Sequence, residues 1–116
     1  MSDFFKSEMV RGELQEITDL QMYCMRASSM MPALSPQKLI EYFDVLTTLI
    51  DKQKTFYARL ALSDDEEAKE MAGLMRDMTI LLGADPNDSM YAMFDQLIER
   101  VKEFRKVTEE KLAQDS

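Results

Sequence analysis

The sequence predicts an all-α fold, an antiparallel bundle of four amphipathic helices over about residues 3–30, 36–62, 64–82 and 86–113. Three observations predict it. Apolar residues recur at steps of three and four through four long segments. Each break between segments carries a residue that caps or stops a helix. Gly and Pro occur only three times each, too few for a loop-rich or β-rich fold. The 116 residues, 46% hydrophobic and 31% charged, are enough for one core without staples and read as a single helical domain over 1–116.

The first helix carries Val10, Leu14, Ile17, Leu20 and Cys24 on one face. Pro32 and Pro36 bracket the break after it. Gly12 costs about 1 kcal/mol relative to Ala, which packing can override or a close helix contact can explain. The second helix starts with Ser35 as cap and Pro36 at the first helical position, where its missing N–H costs nothing. Leu39, Phe43, Leu46, Ile50, Tyr57 and Leu60 form its stripe, and Tyr42, Leu49 and Phe56 widen it. So wide an arc belongs to a central helix or to an oligomer interface.

Ser63-Asp64-Asp65-Glu66 reads as a capping box for the third helix, with Ser63 at the cap and four acids on the positive end of the helix dipole. Ala68, Met71, Met75, Met78 and Leu82 give its stripe, and Gly83 ends it. Asp85-Pro86 announces the fourth helix, with Met90, Phe94, Leu97, Val101, Phe104 and Leu112 on its core face. Short connections favour antiparallel neighbours.

Charge and residue types exclude whole classes of function. The net charge of −8 and pI of about 4.5 oppose direct nucleic-acid binding and docking on an anionic membrane, and favour a basic partner or simple solubility. The sequence has no His, so the commonest general base, most zinc sites and Ser-His or Cys-His nucleophile pairs are absent. No glycine-rich phosphate loop is present. Asp64 and Asp65 suit capping better than metal binding, so the chain is expected to be no enzyme and to need no cofactor or metal. A carboxylate-based metal protein or enzyme is the remaining alternative. The lone Cys24 lies on an apolar stripe and reads as a buried, inert thiol. The start of the chain is not signal-like and no apolar run approaches membrane-spanning length, so a cytoplasmic location is expected. Eleven Met suit an irregular core or an adaptable binding surface.

Two features exceed what a bundle needs. Relative to Val10, Phe4 falls about 120° to one side and Phe5 about 140° to the other at 100° per residue; Tyr23 is in line with Phe5, and Met9 bridges that flank. Either residues 3–6 leave the helix and tuck the Phe pair under the bundle, or Phe4, Phe5, Met9 and Tyr23 anchor a partner or a second subunit. The second feature is the run from Lys52 to Leu60. It puts Lys52, Lys54 and Arg59 beside Phe56 and Tyr57 in an otherwise acidic chain. These cations complement the helix C-terminus and pair with the acidic start of the third helix, or else Lys52, Lys54, Tyr57 and Arg59 contact a partner.

The same two stretches carry a family resemblance. Phe4-Phe5-Lys6-Ser7-Glu8-Met9-Val10 resembles the start of a short protein family widespread in cyanobacteria. So does the run from Lys52-Gln53-Lys54 through Phe56-Tyr57, Arg59-Leu60 and Leu62-Ser63-Asp64-Asp65 to Glu67-Ala68. That family is catalogued as a domain of unknown function, and the likeness covers nearly the whole chain. It looks like the group that includes the RebA-type proteins, which bind the endoribonuclease RNase E and inhibit it. The resemblance thus implies a non-catalytic regulator of RNA turnover acting through protein contact. The alternative from the residues themselves is a structural protein that forms a homodimer or larger homo-oligomer and has no nuclease partner.

Overall fold

The computed structural model describes residues 3–81 and 83–115 and is all-helical, with no strand among the described residues. Its helices are α1 (Asp3–Lys6), α2 (Glu8–Ser29), α3 (Pro36–Leu62), α4 (Glu66–Leu81) and α5 (Met90–Asp115), with a 3-10 turn at Met31–Ala33.

The predicted first helix is two pieces. Ser7 is extended (φ −61°, ψ 131°) and separates α1 from α2. The break has a physical reason. A straight helix would hold Phe4 and Phe5 away from the core stripe, whereas the turn lets both rings pack on the core beside Phe56. The Phe4 N–H also donates to Asp65 Oδ2 at 3.2 Å, which ties α1 to the start of α4.

α3 begins as expected, with Ser35 Oγ accepting from the Lys38 N–H and Pro36 in the first turn. The starts of α4 and α5 differ from expectation. Asp65, not Ser63, caps α4: its Oδ1 accepts from the N–H groups of Glu67 (2.9 Å) and Ala68 (3.3 Å), and Ser63 Oγ instead accepts from the Asp65 N–H. α5 starts at Met90 rather than at Pro86. Ser89 is its cap, accepting from the Ala92 N–H at 3.0 Å. The preceding residues form a turn because the Arg76 guanidinium donates to the carbonyls of Pro86 (2.7 Å) and Asp88 (3.3 Å). A helix from Pro86 would need those carbonyls for its own ladder. Gly83 ends α4 as predicted: φ is +108°, its N–H donates to the Ile80 carbonyl, and the Ala84 N–H donates to the Thr79 carbonyl. Those two bonds form a Schellman closure. Leu82, expected in the third stripe, lies outside the described residues.

α3 is the hub, and α2, α4 and α5 each pack on it while α4 and α5 scarcely touch. Glu13, Glu16 and Tyr23 along α2 meet Arg59, Lys52 and Glu41 along α3, so these two helices run antiparallel. Tyr91, Asp95 and Arg105 along α5 meet Tyr57, Lys54 and Asp44, which makes α3 and α5 antiparallel too. The wide arc of α3 explains its place. Leu49, Phe56 and Leu60 face one core with Val10, Ile17, Cys24, Ala68 and Ala72. Tyr42, Phe43 and Ile50 face a second core with Met90, Met93, Phe94 and Val101. Leu46, Tyr57 and Met75 touch both.

The result is thin and open. Its extents are 54 × 33 × 19 Å and its radius of gyration is 16.5 Å, against about 13 Å for a compact chain of this length. The accessible surface is 7911 Å², against about 6,500 Å² expected for a monomer of 13.5 kDa.

Candidate interaction surface

The cationic run does not form a free patch. Lys52 Nζ lies 2.7 Å from Glu16 Oε2 on α2, and Lys54 Nζ lies 2.7 Å from Asp95 Oδ1 on α5. These hydrogen bonds hold both ammonium groups above the ordinary lysine pKa. Arg59 Nε sits 3.0 Å from Glu13 Oε1, close enough for charge attraction but without the angle of a hydrogen bond. The expected pairing with the acidic start of the third helix is therefore replaced by clamps to α2 and α5. The reason is position: α3 is central, and its two flanks present Lys52 and Lys54 to different neighbours. Tyr57 is half-buried, edge-on to Tyr91 (5.7 Å between centroids) and tilted against Phe94.

The N-terminal aromatics also turn inward. Phe4 and Phe5 are half-buried and edge-to-face at 5.0 Å. Tyr23 donates to Glu41 Oε1 at 3.2 Å, and partial burial followed by that carboxylate raises its pKa. Of the eight residues singled out from the sequence, Met9 is the most open, at 58% exposure.

The large exposed apolar surface lies elsewhere. On α4 the side chains buried against α3 are the small Ala68 and Ala72. Met71 and Met78, predicted as core, face outward together with Leu74 and Leu81; Leu74 is 59% exposed, Met78 55% and Leu81 85%. The predicted core positions Leu97 and Phe104 on α5 are likewise exposed. On α4 the correction has one cause. Periodicity finds an apolar face, but α4 packs through its alanine edge, and the rotation leaves its larger residues uncovered. Because α4 and α5 diverge, a groove of about 690 Å³ opens between them. Met75, Met78, Met90, Met93, Phe94 and Leu97 line it, with Asp85, Asp88 and Arg100. A sequence signal for this surface exists: α4 carries two apolar registers side by side, Ala68-Ala72-Met75 and Met71-Leu74-Met78-Leu81, and one helix–helix contact can cover only one.

Among the described residues no cluster of three or more Cys, Asp or Glu gathers to hold a metal ion. Cys24 is buried, and that burial pushes its thiol pKa up, away from the reactive thiolate. Among the described residues no helix is long and apolar enough to cross a membrane.

A family model for a domain of unknown function, DUF1825, matches residues 2–108, from α1 through most of α5. The chain belongs to this family. No curated protein matches it, and no solved structure matches it either.

Proposed function

We propose that this DUF1825 protein is a non-catalytic, cytoplasmic interaction protein that regulates a partner by docking on it. The observation that carries the reading is the excess of surface. The chain exposes over 1,000 Å² more than about 6,500 Å² expected of a compact monomer, and its exposed large apolar residues include Met71, Leu74, Met78 and Leu81 along α4. One side of a standard protein–protein interface is about 800 Å². Large exposed apolar patches mark interaction sites.

The partner to which the family resemblance points is RNase E. A net charge of −8 suits docking on a basic RNA-binding surface, where the protein would compete with RNA and inhibit cleavage. The wide arc of α3 supports no self-interface, because α2, α4 and α5 cover it. Titration of the purified RNase E catalytic region with the labelled protein at moderate salt tests the reading. Saturable binding that competes with an RNA substrate is expected. Absence of binding at tens of micromolar sinks the RNase E assignment.

A further inference from the structure

We propose that the outer seam of α4 and the groove beside it bind one amphipathic helix of a partner protein, and that this helix is basic along its flank. This rests on the protein-binding reading above and deepens it. Met71, Leu74, Met78 and Leu81 recur at steps of three, four and three. That is the a/d spacing of a coiled-coil seam, and it runs along the solvent side of a helix. Such a seam is complementary to another helix. Met78 belongs both to the seam and to the groove whose other wall is Met93 and Leu97, so a helix laid there would contact α4 and α5 together. Methionine walls adapt to the shape of an inserted side chain, as in other helix-in-groove sites.

Charge selects the occupant. Taking Met71 as an a position, the outer flanking g positions are Glu70 and Asp77, both exposed. Asp85 and Asp88 line the groove beyond them, against one cation, Arg100. The basic residues of α4, Lys69 and Arg76, lie more than about 100° round the helix from Leu74, and Arg76 is held by the loop carbonyls. A second copy of this chain fits badly. In an antiparallel self-pairing Glu70 and Asp77 would face their own copies. In a parallel one Glu70 would face the uncharged Met75 of the other copy. A helix carrying Lys or Arg at those positions completes the site instead.

The test uses the full chain with ¹³C-methyl methionine and synthetic peptides of about three heptads, with Leu at the seam and either Lys or Glu on the flanks. The Lys peptide is expected to bind and to shift the methyl signals of Met71, Met75, Met78 and Met93, leaving Met22 and Met25 on α2 unmoved. The Glu peptide is expected not to bind. Leu74→Glu with Leu81→Glu, both at exposed positions, should weaken binding about 100-fold, about tenfold for each leucine. Glu70→Lys with Asp77→Lys, which leaves the apolar seam intact, should reverse the preference between the peptides. Equal binding of both peptides, binding of neither, or shifts confined to α2 overturns the proposal. So does a stable dimer that Leu74→Glu dissociates. The two readings fail separately. RNase E binding that leaves the α4 methyl signals unmoved overturns this surface and keeps the interaction reading. Lys-peptide binding without RNase E binding does the reverse for the RNase E assignment.

Discussion

Asp65 is where the two ends of the first core are fastened, so Asp65→Ala should be among the most damaging surface substitutions in the chain. One carboxylate oxygen caps α4 through the N–H groups of Glu67 and Ala68, and the other accepts from the N–H of Phe4, which holds the Phe4 and Phe5 rings on the core. Loss of an N-cap costs about 1 kcal/mol. Loss of a hydrogen bond to a charged acceptor costs about 1.5–3 kcal/mol when enclosed, and about 1 kcal/mol here because the site is half-open. The expected sum is about 2 kcal/mol, equivalent to a fall in Tm of about 8 °C for a chain of this size. Urea unfolding followed by circular dichroism measures it, and the nuclear Overhauser contact between the Phe4 and Phe56 rings reports whether α1 stays docked. Asp65→Asn keeps one acceptor oxygen and should lose about half as much. A change within about 0.5 kcal/mol for Asp65→Ala, the range of an ordinary surface substitution, refutes both the cap and the tether.

Gly12→Ala and Gly73→Ala should each stabilise the protein by about 1 kcal/mol in urea unfolding, because both glycines are helical and an added Cβ meets nothing within 4 Å. Gly83→Ala should destabilise it, since φ there is +108°. Cys24, Tyr23 and Tyr42 all have pKa values raised first by burial. Their contribution is full below the unfolded-state pKa values and is lost as pH rises through the folded ones. The urea midpoint should therefore fall above about pH 8.5, with the earliest part of the fall absent in Cys24→Ala. A thiol reagent should label Cys24 only on unfolding. Arg76→Met keeps the aliphatic stem but releases the carbonyls of Pro86 and Asp88. It should cost about 1 kcal/mol and shift the Met75 and Met93 methyl signals.

What could be read from the sequence was what local rules decide. Ser35-Pro36 and Gly83 sit where capping and left-handed backbone require, and the stripes of α2 and α3 face the two cores, buried or half-buried. Where the structure departs from the local rules, the reason is competition between caps or a partner distant in sequence. The run Ser63-Asp64-Asp65 offers several caps in succession, and the choice of Asp65 is tied to Phe4, 61 positions away. Asp85-Pro86 is a sound helix start on local grounds, but Arg76, ten positions before Pro86, holds the carbonyl oxygen such a helix would use. The partners of Lys52 and Lys54 lie on other helices. The candidate surface was hidden in a different way. Met71, Met78, Leu97 and Phe104 form an apolar pattern in the sequence, yet the pattern does not say whether the covering helix comes from the same chain.

The way α4 is attached bears directly on that question. Its buried edge is alanine, so it sits close against α3 while burying little large apolar side chain of its own; the fully enclosed partner is Leu60 on the α3 side. Burial of a large side chain contributes about 1.5–3 kcal/mol, and an alanine far less. Helices one turn of chemistry away from this choice are easy to specify: Leu at residues 68 or 72 and polar residues at 74 and 81 would give an ordinary core helix. The observed sequence has the opposite distribution, with small residues inside and Met and Leu outside. Uncovered apolar residues on a chain of net charge −8 add nothing to solubility, and the divergence of α4 from α5 gives up core that a closed bundle would have. Both features are costs for an isolated bundle. Both become favourable terms once a helix lies on the seam, because it buries the outer methionines and leucines and bridges α4 to α5 in the same step.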